Sequence, residues 1–300
     1  MTTKNQNTDA DVRKKSLFRL TLRLFVKNFY EHDVGKSAAA LTYYLLFALF
    51  PLLIFVNNLL GLLNLNISAV TASLAHFMPK AVVSLVENYL YYVSNTSSRV
   101  LLWFALVFSV WFPMRAVNEI MKDVRKAYCL DNPKNIVAYT VRQLVYTVVF
   151  LLVLAATLFL STMGKNILSF LFAFFPKNAP IISDYLLNIW HYLRFVPAGI
   201  LMFVAIGSLY AMSVDEKQPF RTLLPGITVV LSAWMIVSIG FSFYVENFAS
   251  YSVIYGTLGT VIILMVWLYM TSLLLILGAE LNASIKQGKD IRKASVSEDE

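Results

Sequence analysis

Residues 257–283 read TLGTVIILMVWLYMTSLLLILGAELNA, and this stretch decides the fold class. It contains one charged residue, Glu280. A helix needs about 20 predominantly apolar residues to cross the hydrocarbon of a bilayer, so the stretch predicts a transmembrane helix. The expected fold is an all-α polytopic membrane protein with additional amphipathic helices at the interface.

The composition of the whole chain has the same character. Of its 300 residues, 58% are hydrophobic and 14% are charged, whereas a soluble domain has roughly 45–50% and roughly 25%. The excess apolar surface must face lipid, which excludes most water-soluble enzymes. The one cysteine and the widely spaced His32, His76 and His191 form no local ligand motif, so no metal or other cofactor is expected.

Six apolar runs alternate with polar joints, and no hydrophilic stretch is long enough for a separate soluble domain. We therefore predict one membrane domain over residues 37–283. Its predicted spans are 37–63, 100–114, 136–161, 194–213, 223–245 and 257–283. The second run is short before Pro113, and its length alone also fits a re-entrant or buried helix.

The distribution of basic residues indicates that run 100–114 crosses. With six crossings and the N-terminus inside, 19 of the 25 Lys and Arg residues fall in cytoplasmic pieces, and the outer joints hold Lys80, Lys165 and Lys177. Without this crossing, the five basic residues of joint 115–135 would lie outside, against the positive-inside rule. We predict cytoplasmic tails at 1–15 and 284–300.

The segment before the first span predicts an amphipathic helix over residues 16–30, and no signal peptide is expected ahead of it. Basic residues recur every fourth position, at Lys15, Arg19, Arg23 and Lys27. Phe18, Leu22, Phe25 and Phe29 occupy a neighbouring face. Such a helix lies in the membrane plane with its basic edge on anionic lipid headgroups, or it packs on the bundle with a solvated charge stripe. Either interpretation accounts for much of the net charge of +8 without nucleic acid.

The outer joints 64–97 and 164–193 are rich in aromatic residues, such as Tyr89, Tyr92 and Trp190. This pattern is typical of helices at the outer interface. It leaves open a lipid-binding role or an ordinary aromatic belt.

A few polar residues inside the spans suggest a central path. Tyr44, Pro51 and Asn58 are seven positions apart and share a face of the first span, next to Tyr43. Pro51 leaves a backbone carbonyl of the helix without its hydrogen bond. In some transporters such a break lines a binding site, and in other proteins it is only a kink that serves helix packing. Ser238 and Ser242 form a polar stripe that also fits plain helix contact, and Tyr269 faces inward from the last span.

Glu280 ends the last span near the predicted cytoplasmic side. A buried carboxylate needs a cation, and the topology brings Arg115, Glu119 and Arg142 to the same side. We expect Glu280 to pair with Arg115 or Arg142. For Arg142, snorkelling to the interface is the simpler alternative.

Several motifs resemble the YihY/BrkB family of bacterial membrane proteins. They are residues 39–44 (AALTYY) running into Phe50-Pro51-Leu52, residues 255–259 (YGTLG), and residues 278–283 (GAELNA). Phe47-Ala48 and Cys129 depart from the pattern. The resemblance covers residues 20–285 and implies six crossings of the bacterial cytoplasmic membrane. Members have been labelled both as ribonuclease BN and as serum-resistance virulence factors, so it implies no settled activity.

The residues argue against a ribonuclease, and we expect no enzyme. A metal-dependent nuclease gathers carboxylates around its ions, whereas Glu246 and Glu280 fall at opposite membrane faces, about 30 Å apart. A transporter or lipid-handling protein is the leading hypothesis, a membrane scaffold or envelope-integrity factor the second, and a membrane enzyme the third. Homo-oligomer formation stays open.

Overall fold

The computed structural model describes residues 2–62, 66–75, 78–94, 99–131, 133, 135–173, 195–214, 219–247 and 257–297, and within these ranges it contains helices and no strand. The helices are α1 (Thr2–Glu31), α2 (Val34–Leu62), α3 (Ile67–Leu74), α4 (Lys80–Ser94), α5 (Arg99–Ala127), α6 (Ile136–Ala173), α7 (Phe195–Ser213), α8 (Leu224–Asn247) and α9 (Thr257–Ser297), with a 3-10 turn at Phe220–Thr222. The all-α prediction is confirmed.

Among the described residues, four helices are long and apolar enough to cross a membrane. Their apolar stretches are Val34–Asn58, Ile136–Val153, Leu224–Val245 and Leu258–Ala294. They match four of the six predicted spans. Of the other two, α7 has a shorter apolar stretch, Gly199–Ser213, and α5 runs unbroken through Pro113 into a charged second half. The structure thus supports a multi-pass membrane protein.

Three helices extend further than the sequence indicated. The N-terminal helix begins at Thr2 rather than near residue 16, and the last helix continues to Ser297 instead of ending near Ala283. The extension of α9 packs against α1, with Thr21 of α1 lying over Gly288 of α9. A buried small residue lets the two helices approach closely, which favours helix in this extension of α9. Helix α6 continues to Ala173, into the predicted outer joint.

Helices α2, α5 and α9 form the centre of the bundle, and α6, α7 and α8 surround them. The main core gathers apolar side chains of these six helices, including Leu41, Met121, Tyr210, Ile227 and Ile276, which are all at most 2% exposed. A second core, around Val82, Leu264 and Trp267, joins α4 to α8 and α9.

Helix α4 covers the end of the bundle at the second core. Its buried residues Val82, Val86 and Leu90 pack against α2 and α9, while Tyr91 and Tyr92 are exposed. This arrangement agrees with an interfacial helix for the first outer joint. Residues 174–193 of the second joint lie outside the described residues.

Candidate functional site

The polar residues of the bundle concentrate at the end formed by the α1–α2 turn, the second half of α5, the first turns of α6, the last turn of α7, the start of α8 and residues 278–288 of α9. We call this the polar end. Several of its side chains form hydrogen bonds to other helices and turns, so they both hold the bundle together and provide its polar chemistry.

The GAELNA segment, residues 278–283, fastens α9 to α8. Gly278 and Gly226 face each other so closely that a Cβ on either residue would overlap atoms of the other helix. Two positions after Glu280, Asn282 accepts a hydrogen bond from the Gly226 amide at 2.7 Å and donates to the Leu223 carbonyl at 3.0 Å. The first amides of a helix lack partners within it, so Asn282 caps α8 from another helix.

Glu280 of the same segment points to α1 and α2. It is 1% exposed, and its Oε1 lies 2.6 Å from Nδ1 of His32, which sits in the short turn between these helices. The turn is tight because Asp33 adopts a positive φ of 54°. The Lys126 ammonium of α5 donates to the His32 carbonyl. These two hydrogen bonds therefore join the α1–α2 turn, α5 and α9.

The expected partner of Glu280 was wrong. Arg115 stacks over the Trp111 ring, with its guanidinium carbon 4.7 Å from the ring centre. Arg142 donates to the Met212 carbonyl at 3.0 Å. Both arginines lie toward the α5–α6 side, whereas Glu280 faces the α1–α2 turn, so His32 takes the place of an arginine.

Glu119, the fourth residue of the predicted charged cluster, bonds within its own helix. Its carboxylate lies 3.2 Å from the Lys122 ammonium, one turn along α5. The four predicted residues share the polar end, but they do not surround one point.

Two buried charges at the polar end were not predicted. Asp123 is 6% exposed; burial raises the pKa of its carboxyl to about 6, and a hydrogen bond with Ser37 offsets part of this effect. Arg125 is 5% exposed and donates to the carbonyls of Ser213 (3.3 Å) and Asp131 (2.5 Å). Both lie among the apolar positions Ile120, Met121 and Val124, a context that could have marked them as buried.

The predicted central-path residues do not line one space. Tyr44 and Tyr269 pack against the main core, Pro51 is buried and Tyr43 is 56% exposed. Asn58 is exposed, and its amide donates to the Ile54 carbonyl of its own helix at 2.8 Å. None of these residues lines the cavity between α5 and α6.

The two serines of the predicted path lie on α8. Ser238 is buried, and its hydroxyl bonds to no described residue, whereas Ser242 is half-buried. Across the bundle, α2 and α9 touch through a hydrogen bond of 3.4 Å between Thr42 and Ser272. The interior around these residues is packed.

A cavity of about 820 Å³ opens between α5 and α6 at the polar end. Pockets that hold small ligands span about 300–1,000 Å³, so this volume is sufficient for one. Its charged lining residues are Arg115, Lys122, Arg125, Lys126 and Asp131. Its apolar lining includes Trp111, Met114 and Ile136.

The outer face of α1 is amphipathic in a different register from the predicted one. Phe18, Leu22, Val26 and Tyr30 are 49–74% exposed and follow one another at fourth positions. Phe29 instead packs against the main core, and Phe25 is half-buried. Helix α9 packs on the side of α1 where these two phenylalanines lie. The exposed apolar stripe of α1 therefore runs through Val26 and Tyr30, one position after each of them. Arg19, Arg23 and Lys27 are exposed beside the stripe.

Within the described part of the chain, no three His, Cys, Asp or Glu side chains gather in a way that could hold a metal ion. Oε1 of Glu280 lies 2.6 Å from Nδ1 of His32, whereas its Oε2 is buried and has no hydrogen-bond partner among the described residues. The side chain of Glu246 and residue His76 lie outside the described set.

Comparisons with known proteins give consistent matches over most of the chain. A family model described as "Virulence factor BrkB" matches residues 25–300. A relative from Bacillus subtilis, called a putative ribonuclease-like protein YfkH, is 29% identical over 260 residues, which are 87% of this chain and 93% of the relative. A UPF0761 membrane protein of Alteromonas mediterranea is 25% identical over 90% of this chain and 89% of its own length.

A shorter similarity links the chain to the UPF0761 membrane protein YihY of Salmonella newport. The two are 30% identical over 128 residues, which are 39% of this chain and 44% of the relative. No solved structure matches the chain.

Proposed function

The chain belongs to the family described as Virulence factor BrkB, and we propose that it is a six-crossing protein of the bacterial cytoplasmic membrane that handles lipids or other amphiphiles. UPF0761 relatives named as membrane proteins support the membrane location. The distribution of basic residues supports an orientation with the polar end and both termini in the cytoplasm.

The observation that carries this proposal is the cavity between α5 and α6. It combines basic residues with an apolar rim, because Trp111 is 49% exposed and Ile136 is 74% exposed beside it. A polar space that opens beside exposed apolar side chains suits a molecule with a charged head and an apolar tail. The packed interior around Tyr44 and Tyr269 gives no comparable support to a central path.

The outer face of α1 supports contact with the membrane surface. Its exposed apolar stripe and the adjacent Arg19, Arg23 and Lys27 suit a helix that lies in the headgroup region and attracts anionic lipids. Lys15 continues the same basic spacing in the sequence. This contact would hold the polar end at the cytoplasmic interface.

A membrane scaffold or envelope-integrity factor is the second candidate function. It is favoured by the filled core among α2, α5 and α9, and by the exposed apolar face of α1, which would then bind another protein. The family description as a virulence factor fits this candidate.

Ribonuclease activity is not part of the proposal. The ribonuclease-like name belongs to the Bacillus subtilis relative. In this chain the one buried glutamate of the GAELNA segment is held by His32, and a nuclease needs carboxylates that are available to metal ions or water.

A lipid-translocation assay tests the leading proposal. The purified protein is reconstituted into vesicles with a fluorescent phospholipid, and an impermeant quencher reports lipid that crosses between leaflets. We expect faster exchange than in empty vesicles, and a decrease when Thr140→Trp fills the cavity that Thr140 lines. Thr228→Trp is the matched control, because Thr228 is exposed on α8 and does not line the cavity. Exchange no faster than in empty vesicles would favour the scaffold.

A further inference from the structure

We propose that the α5–α6 cavity binds the phosphate of an anionic phospholipid headgroup, with Arg115 and Lys122 as its direct ligands. The inference deepens the proposed lipid handling and rests on it for the position of the acyl chains.

The charge of the cavity selects an anion. Among the described residues that line it, four are cations and one, Asp131, is a carboxylate. Arg115, Lys122 and Lys126 stand seven and four positions apart on α5, so they project from one face of the helix. In a partly enclosed space, charges of one sign reinforce one another more than they do in open water.

Two of the four cations are already engaged with the protein. Arg125 is buried and donates to the Ser213 and Asp131 carbonyls, and Lys126 donates to the carbonyl of His32. These carbonyl partners hold the donor groups of both side chains in place. Both side chains contribute to the field of the cavity wall without needing to move.

Arg115 and Lys122 can reach a ligand. The guanidinium of Arg115 stacks on Trp111, and such stacking uses its face while leaving the N–H groups of its edge for a planar or tetrahedral oxyanion. Lys122 pairs with Glu119, but its side chain is 57% exposed, and exposed ion pairs exchange readily for a stronger partner.

Tyr139 supplies an independent sign of a ligand. This residue lines the cavity and is 8% exposed, yet its hydroxyl makes no hydrogen bond of normal geometry with the described residues, although Gln143 lies near it. Buried hydroxyl groups rarely stay without a partner. A phosphate oxygen in the cavity would accept a hydrogen bond from this hydroxyl.

The rim of the cavity favours a lipid over a free anion. Trp111 and Ile136 line the mouth, and Val107 and Val137 continue the exposed apolar surface along α5 and α6 at 58% and 73% exposure. Acyl chains would cover this surface, whereas inorganic phosphate would leave it bare. Both ligands share the phosphate contact, so the experiment must separate them.

The test is a binding titration of the full-length protein in a neutral detergent, read by native mass spectrometry. The probes are phosphatidylglycerol, phosphatidylcholine and inorganic phosphate. We expect phosphatidylglycerol to bind at least tenfold more tightly than phosphatidylcholine. Excess inorganic phosphate should compete weakly. The double variant Arg115→Gln/Lys122→Gln should lose this preference.

Two further variants keep the test decisive if the double variant folds poorly. Tyr139→Phe leaves every charge in place and should weaken phosphatidylglycerol binding severalfold. Arg221→Gln is the matched control: it removes a cation from an exposed position of the 3-10 turn that does not line the cavity, and should leave binding unchanged.

The outcomes distinguish this site from the proposed function. The proposed site would be overturned if phosphatidylglycerol binding were unchanged in both the double variant and Tyr139→Phe. It would also be overturned if Arg221→Gln lost as much binding as the double variant, or if inorganic phosphate bound as tightly as phosphatidylglycerol. If the protein still accelerated lipid exchange in vesicles, the proposed lipid handling would stand although this binding site would not. Binding that depends on Arg115 in a protein that exchanges no lipid would support the site and contradict transport.

Discussion

Nδ1 of His32 lies 2.6 Å from Oε1 of Glu280, although the two residues are 248 positions apart in the chain. Glu280 is 1% exposed, and the side chain of His32 is 14% exposed. The pair connects the α1–α2 turn to the last helix, and Lys126 extends the connection to α5. Removal of one member of a buried pair leaves the other without compensation, which costs about 3–5 kcal/mol of folding free energy.

We therefore expect Glu280→Gln and His32→Gln each to lower the unfolding temperature in detergent markedly. The double variant should lose less than the sum of the two single losses. Glu31→Gln is the control, because it breaks the exposed Lys27–Glu31 pair of 3.5 Å, which should change stability by less than about 1 kcal/mol. Additive losses in the double variant would show that the two side chains are not coupled.

The contact between Gly226 and Gly278 predicts a sharp difference between two alanine substitutions in α8. A Cβ at Gly226 would overlap the Gly278 carbonyl and the Asn282 side chain, so Gly226→Ala must push α8 and α9 apart. Overpacking of this kind costs about 1–3 kcal/mol or more. Gly240→Ala meets nothing within 4 Å and should stabilise the helix by up to about 1 kcal/mol.

Thermal unfolding of the two variants, followed by tryptophan fluorescence, measures this difference. Gly226→Ala should unfold at a lower temperature than the wild type or fail to accumulate, while Gly240→Ala should unfold at an equal or higher temperature. Equal behaviour would mean that the two helices do not meet at Gly226.

Hydropathy predicted helices that can span a membrane, but it could not predict which side chains meet. Arg115, Arg142 and Glu280 reach the same end of the bundle, as their positions in the spans indicated. The face that each residue presents depends on how the helices rotate and pack, so Glu280 meets His32 instead. The same effect moved the exposed stripe of α1 from Phe25 and Phe29 to Val26 and Tyr30.

The sequence likewise showed the GAELNA segment as a motif but did not predict which residues it contacts. Nothing local in the sequence shows that Asn282 caps α8 or that Gly278 meets Gly226. The cavity between α5 and α6 is formed by residues from two helices and the turn between them, and no regular spacing in the sequence marks it.

Asp123 predicts a dependence of stability on pH. Its pKa is raised from 3.8 to about 6 by burial, so the folded protein binds this proton more tightly than the unfolded chain does. The resulting stabilisation is fully present below pH 3.8 and is lost as the pH rises through about 6. The loss amounts to about 3 kcal/mol, at about 1.4 kcal/mol per pKa unit.

Asp123→Asn should therefore raise the unfolding temperature at pH 8 and flatten its decline between pH 4 and pH 6, since an amide can still bond Ser37 without bearing a charge. Asp33→Asn is the control. The pKa of exposed Asp33 is lowered by its hydrogen bond with Lys36, so any effect of that variant has the opposite sign: it lowers stability above the ordinary carboxyl pKa and disappears at low pH. A wild-type protein with the same stability at pH 4 and pH 6 would contradict the burial of an ionising Asp123.

The single cysteine allows the orientation of the polar end in the membrane to be measured by thiol labelling, without a reporter protein fused to the chain. Cys129 is exposed in the turn after α5, where it adopts a positive φ of 53°. If α5 crosses the membrane and the basic joint after it faces the cytoplasm, a membrane-impermeant maleimide should label Cys129 only after the cells are permeabilised.

The variant Cys129→Ser/Ser94→Cys moves the thiol to the exposed end of α4, before α5 begins. We expect this second thiol to be labelled in intact cells, because one crossing separates the two positions. Labelling of both thiols from the same side would show that α5 does not cross, and the six-crossing proposal would then be wrong.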